Sequence, residues 1–223
     1  MFQHEGPERT AQQNRILAAY LACIGGFVNS VGFVLVGNFT SHVTGNVGRL
    51  ASALAHGVPA GAVLAMIAAF FSGAVVATLV IEGASGVHRA RGYGAALSLE
   101  AVLVMIVALV PGTELAATLG LSAAMGMQNS MVTRLSGAVV RTTHLTGVVT
   151  DMGIEVGRWI RRDPGRNVGR LGLLGTVAGA FATGAVAGAF AGAWAHGLAL
   201  LAAGVALLVG AAIAYRSSLR DAA

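Results

Sequence analysis

Two stretches of this 223-residue chain carry the same polar side chains in the same order. The first is Gly26-Phe-Val-Asn29-Ser30, then Thr40-Ser-His42-Val-Thr44-Gly45. The second is Gly126-Met-Gln-Asn129-Ser130, then Thr142-Thr-His144-Leu-Thr146-Gly147. Asn, Ser and Thr supply hydrogen-bond donors and acceptors without charge, and an imidazole adds a group that titrates near neutral pH. Thr-Gly after each histidine has the composition of a helix start, where threonine caps and glycine lets backbone N–H groups approach a ligand. Thr44 and Thr146 are therefore candidate N-caps. Two such helix ends facing one another would suit an anion or a polar, partly negative group. Asn29, Ser30, Thr40, His42, Thr44, Gly45, Asn129, Ser130, Thr142, His144, Thr146 and Gly147 make up the candidate substrate-binding set. The plainer alternative is that the asparagines bond between helices, the threonines only cap, and the histidines satisfy loop carbonyls.

Glu100 stands apart as a carboxylate well inside an apolar run, between Leu99 and Ala101. A charge in such a place is costly and marks a functional candidate, so Glu100 is a candidate for proton or ion coupling, with structural pairing to an arginine as the alternative. A histidine metal centre has less support, because no carboxylate or cysteine sits at ligand spacing beside His42 or His144. His4, His56, His88 and His196 lie singly at segment ends. The chain contains no G-x-S-x-G, H-E-x-x-H, Walker loop or dinucleotide fingerprint, so neither an enzyme nor a cofactor is expected. Without an ATP site, any transport would be passive or driven by an ion gradient.

These residues have to be positioned by a very apolar chain. Apolar residues make up 56% and charged residues 10%, against about 25% charged in an ordinary soluble domain, which points to an integral membrane protein. All 14 basic residues are arginines, lying mainly between apolar runs, so the high pI reflects orientation in a membrane rather than nucleic-acid binding. The lone Cys23 excludes an internal disulfide. Six segments, 16–36, 60–81, 93–110, 115–132, 168–194 and 195–215, are long enough to cross a hydrocarbon core of about 30 Å. Glycines at four-residue spacing, Gly175/Gly179 and Gly184/Gly188/Gly192, favour close helix contact.

Two further stretches do not fit as simple spans and read as re-entrant half-helices or as helices lying at the interface. One follows Thr44, runs from Gly45 to His56, too short to cross, and stops at Gly57 and Pro59; the other runs from Gly147 to about Arg162 and stops at Asp163-Pro164-Gly165. On the second, Val148, Met152, Val156 and Trp159 or Ile160 form an apolar stripe opposite Asp151, Glu155, Arg158 and Arg162. Asp151, Glu155 and Arg158 are expected to form surface ion pairs at helical spacing. If neither short stretch spans, Arg9 and Arg15, Arg89 and Arg91, the 158–170 arginines, and Arg216 and Arg220 all fall on one side, which the positive-inside rule makes cytoplasmic.

The expected fold is an all-α integral membrane protein of six transmembrane helices, a 3+3 inverted repeat in which each half adds a broken or re-entrant half-helix. Its parts are a cytoplasmic tail at 1–15, repeats at 16–110 and 111–215, and a cytoplasmic tail at 216–223. Three spans per half give the halves opposite orientation, a transporter architecture with its site where helices break. Gly37 and Gly137, 100 residues apart, and His42 and His144, 102 apart, carry the repeat. So does Phe70-x-Ser72-Gly73-Ala74-Val75 against Phe181-x-Thr183-Gly184-Ala185-Val186.

At these residues the chain resembles the YoaK-like bacterial membrane proteins, a family of unknown function (DUF1275, UPF0700). The likeness is carried by Gly25-Gly26-Phe-Val-Asn29-Ser30-Val-Gly32-Phe, Thr44-Gly45-Asn46 and Gly126-Met-Gln-Asn129-Ser130, and above all by Arg141-Thr142-Thr-His144-Leu-Thr146-Gly147. It departs at Asn29, where members of that family often carry Asp. The resemblance implies a six-span protein of the bacterial inner membrane and supplies no substrate.

The function expected is a small transporter or channel for a small polar or anionic solute, with a non-transporting membrane scaffold or sensor as the second reading. The expected partners are the lipid bilayer and a small solute, with no nucleic acid; homo-oligomers are compatible with the sequence.

Overall fold

The computed structural model describes residues 1–2, 4–84, 89–110 and 112–220. His88 and Pro111 therefore lie outside the described residues. Among the described residues eight α-helices carry the fold: α1 (Ala11–Val36), α2 (Val43–Ala55), α3 (Gly61–Gly83), α4 (Arg89–Leu109), α5 (Glu114–Ser136), α6 (Leu145–Ile160), α7 (Val168–Ala195) and α8 (Leu200–Arg220). Among the described residues there is no strand.

Local chemistry sets the helix ends. α1 begins at Ala11, ahead of the expected Ile16, because Thr10 and Gln13 form a reciprocal capping box. Thr113 caps α5 by accepting from the Ala116 N–H at 3.1 Å. α1 and α5 both end at a left-handed glycine, Gly37 at φ +63° and Gly137 at φ +61°, a conformation that costs glycine nothing. α7 and α8 come from one apolar run broken by a 3₁₀ turn, His196–Ala199, with His196 at φ +50°.

Among the described residues, four stretches are long and apolar enough to cross a membrane: Ala11–Val36, Gly61–Gly83, Arg89–Leu109 and Val168–Leu219, the last holding α7 and α8. The protein is a helical membrane protein. α5 falls below that level of apolarity because it carries Gln128, Asn129, Ser130, Thr133 and Arg134. Yet α5 is among the most enclosed helices, with Leu121, Met125, Met131 and Leu135 fully buried. A helix surrounded by protein need not be greasy all round, since its neighbours replace the lipid.

α1 packs along α7, α3 along α5, and α4 along α8, while α1 and α5 meet at the centre. Glycines permit the first two contacts. A Cβ on Gly26 would lie 2.1 Å from the Phe181 carbonyl oxygen, and one on Gly184 would lie 1.9 Å from that of Cys23. One hundred residues on, a Cβ on Gly126 would lie 1.9 Å from the Phe70 carbonyl oxygen, and one on Gly73 would lie 2.0 Å from that of Ala123. Backbone-to-backbone approach of this kind is what small residues allow between membrane helices. Gly188 and Gly192 continue the α1 contact, but nothing lies within 4 Å of a Cβ on Gly175 or Gly179. The expectation of close contact at that pair is corrected: both glycines lie off the face of α7 that buries Leu174, Val177 and Phe181.

The first residues fold back on the bundle. Phe2 is buried and stacks on Tyr93 with ring centroids 6.3 Å apart. Arg9 is buried and donates to the Met1, His4 and Gln13 carbonyls and to Asn14 Oδ1. Glu5 accepts from the Tyr93 hydroxyl at 2.7 Å and from Arg89 at 2.9 Å.

The short helices lie at the edge. α2 packs on α3 and α6 on α7. On α6 the burial follows the expected apolar stripe only at its start, where Met152 is half-buried after Val148. Val148 and Glu155 are buried, whereas Val156, Trp159 and Ile160 are exposed. Glu155 is drawn inward because Arg158 at 3.2 Å, Arg170 at 3.6 Å and the Asn167 N–H at 2.9 Å satisfy its carboxylate. Asp151 pairs with Arg170 of α7 at 2.9 Å, not with a residue at helical spacing.

Candidate functional site

The two polar stretches fall where α1 and α5 end and α2 and α6 begin. Each asparagine fastens the break that follows it. Asn29 Oδ1 accepts from the Ser41 hydroxyl at 2.9 Å and its N–H at 3.3 Å. Asn129 Oδ1 accepts from the Thr143 hydroxyl at 2.8 Å, and its amide donates to the Met125 carbonyl at 2.8 Å. The second break is two residues longer. Ala138, at φ +64°, takes up part of the extra length after Gly137.

The helix starts differ from the expectation. The N-caps of α2 and α6 are His42 and His144, and neither side chain bonds to its helix. Thr44 and Thr146 sit inside the first turns, so their proposed capping role is corrected. In the observed geometry each histidine backbone carbonyl accepts the first helical hydrogen bond, from Asn46 and Val148 respectively. The first-turn N–H groups of both helices are thus left without a side-chain cap.

Both starts open on one cavity of about 830 Å³. Its polar lining is Asn29, Ser30, Ser41, His42, Thr44, Asn129, Thr143, His144 and Thr146, with backbone from Gly45. Phe39, Phe70, Phe71 and Phe181 supply apolar wall. Among the described residues no carboxylate, lysine or arginine lines it. Phe39 stacks on Phe33 at 4.3 Å and lies against the His42 ring at 5.0 Å. Partial burial lowers the pKa of the imidazole from the ordinary value.

The family comparison bears on the same breaks and the helices around them. Residues 17–213 match the model of a family described as a protein of unknown function, DUF1275. The chain belongs to the DUF1275 family. Neither the curated proteins nor the solved structures hold a match to it. The matched region of this DUF1275 member contains all of the cavity lining.

Four members of the sequence-derived set do not reach this cavity. Thr40 is buried behind it, its hydroxyl without a partner among the described residues. Ser130 shares a 2.8 Å hydrogen bond with Thr78 of α3. Thr142 is buried and accepts from Gln128 Nε2 at 3.3 Å. Gly147 faces a second cavity, against α1 and α7. Glu100 lines neither cavity: it is fully buried on α4, and both its oxygens lack a hydrogen-bond partner among the described residues. Among the described residues the alternative of pairing with an arginine is therefore not realised.

Sequence reasoning passed over Ser41 and Thr143. Their signal was a hydroxyl residue immediately before each histidine, at the same spacing of 102. The phenylalanines of the wall gave no comparable signal, because aromatic residues are ordinary in an apolar helix.

Proposed function

We propose that the protein is a small transporter or channel that takes a small polar or partly negative solute into the cavity between the starts of α2 and α6. The observation that carries this reading is the convergence of two uncapped helix starts, from two separate halves of the chain, on one cavity. Each start presents backbone N–H groups and the positive end of a helix dipole. The uncharged hydroxyls and amides around them would orient the solute, and the phenylalanines would exclude water.

In this reading α1, α3, α4, α5, α7 and α8 are the six spans, arranged as a 3+3 inverted repeat. The matched contacts Gly26–Phe181 and Gly126–Phe70 support it, as do the matched bonds Asn29–Ser41 and Asn129–Thr143. α2, with 13 residues, and α6, with 16, reach about 20–24 Å at roughly 1.5 Å per residue. Both are short of the core thickness and act as half-helices beside the site. The arginine-bearing segments share the cytoplasmic side of a bacterial inner membrane, with both termini inside.

The test is uptake by purified protein in liposomes, against a panel of small anions and neutral polar metabolites. Uptake of at least one solute, lost in His42→Ala or His144→Ala, is the expected result; no uptake of any would remove the reading. Topology is tested separately. Arg89→Cys and Gly112→Cys, each in a Cys23→Ala background, should label from opposite sides of the membrane, and same-side labelling would end the six-span arrangement.

A non-transporting scaffold or sensor is the second reading. What favours it is that the Asn29–Ser41 and Asn129–Thr143 bonds account for both asparagines without any solute.

A further inference from the structure

The second cavity, of about 820 Å³, lies between the start of α1, the connection from α5 to α6, and the start of α7. Among the described residues three arginines line it, Arg15, Arg141 and Arg170, with Asp151 the one carboxylate in the lining. Arg170 is already neutralised: it pairs with Asp151 at 2.9 Å and reaches Glu155 at 3.6 Å. Arg15 is laid against α7, its Nη2 donating to the Gly169 carbonyl at 3.4 Å. Gly172 makes room for it there, since a Cβ on that residue would stand 2.6 Å from the same nitrogen. Among the described residues Arg141 makes neither a hydrogen bond nor an ion pair, so its whole donor fork is free. Two cationic side chains thus enter one concave space with no carboxylate left among the described residues to balance them.

The position of Arg141 breaks the likeness between the two polar stretches. It stands three residues before His144; three residues before His42 stands Phe39, which stacks on Phe33 and covers the corresponding break. A closed aromatic contact at one end is replaced by an open, positively charged recess at the other. His144 lines both cavities, so the recess abuts the first one.

We propose that this recess is a second binding site, taking a phosphate- or carboxylate-type anionic group on Arg141 and Arg15. A guanidinium matches such a group with two parallel N–H donors, which Arg141 has available. The anion is either a free solute or the headgroup of an acidic lipid. The site stands whether or not the first cavity transports anything.

The test uses the full chain, purified in a neutral detergent, with thermal unfolding as the readout. Sodium phosphate is titrated at constant ionic strength, and in a parallel arm phosphatidylglycerol is compared with phosphatidylcholine. Stabilisation by phosphate identifies a free anion; stabilisation by phosphatidylglycerol alone identifies a headgroup. In either case Arg141→Gln and Arg15→Gln should weaken the effect at least about tenfold, the loss of a charge-assisted bond. Arg141→Lys should retain part of it, and Arg161→Gln, outside the recess, all of it. No stabilisation in either arm, or stabilisation undiminished in Arg141→Gln and Arg15→Gln, overturns the proposal. Because uptake is not the readout, failure here is distinguishable from failure of the transport reading.

Discussion

Asn29 Oδ1 accepts the Ser41 hydroxyl hydrogen bond at 2.9 Å across 12 residues of chain, and so fixes where α1 stops and α2 starts. Asn129 holds Thr143 in the same way across 14 residues. The two asparagines differ in one respect. The Asn129 amide also donates to Met125 at 2.8 Å, whereas Asn29 is used as an acceptor.

That difference predicts unequal responses to Asp. Asn29→Asp should cost less than Asn129→Asp, since its second oxygen replaces an amide with no acceptor among the described residues. A carboxyl group buried there still carries a desolvation cost of its own. Asn129→Asp should cost about 1–3 kcal/mol, because it replaces a donor with an acceptor facing the Met125 carbonyl. Thermal unfolding in detergent checks this, and equal effects would contradict the roles assigned.

Glycine substitutions should separate contact from idle spacing. Gly26→Ala and Gly126→Ala drive a Cβ into a facing backbone carbonyl, and should cost at least about 1–3 kcal/mol, as overpacking does. Gly175→Ala and Gly179→Ala meet nothing within 4 Å and should be neutral or stabilising by up to about 1 kcal/mol through helix propensity. Denaturation midpoints of the four variants decide the matter.

His42 gives a pH signature. Its folded pKa lies below the ordinary 6.5, so on acidification the unfolded chain binds the proton first. The stability this residue contributes is therefore fully present above about pH 6.5 and declines as pH falls through 6.5 towards the lowered folded value. His42→Ala should flatten that limb of a melting-temperature profile; an unchanged profile would contradict the partial burial of the imidazole.

Glu100 should be dispensable for folding. Both its oxygens are buried without partners, so Glu100→Gln should leave stability unchanged or raise it by up to about 2 kcal/mol. If Glu100 couples transport to an ion gradient, the same variant should keep solute exchange and lose gradient-driven accumulation, a split measurable in liposomes.

Arg158→Ala should destabilise more than Arg161→Ala. Arg158 helps satisfy the buried Glu155 at 3.2 Å, and removing one partner of a buried charge leaves that charge undercompensated. About 1–2 kcal/mol is expected, below the full cost because Arg170 and the Asn167 N–H remain. Chemical denaturation of the two variants compares them directly.

Much of this protein is written locally. The apolar runs, the capping residues Thr10 and Thr113, and the paired glycines Gly37 and Gly137 determine where helices lie and where they break, because those choices depend on a few neighbouring residues. The doubling of Asn-Ser and His-x-Thr-Gly likewise marked the two breaks from sequence alone. Tertiary structure decided which faces are used. It placed the least apolar long helix, α5, at the centre, turned Glu155 inward, and left Gly175 and Gly179 without a partner. It also made His42 and His144, rather than the threonines, the helix caps, and brought both caps to one cavity while sending Thr142, Ser130 and Glu100 elsewhere. Helical periodicity says which residues share a face, but when most faces are apolar only the neighbouring helices select the face that meets protein.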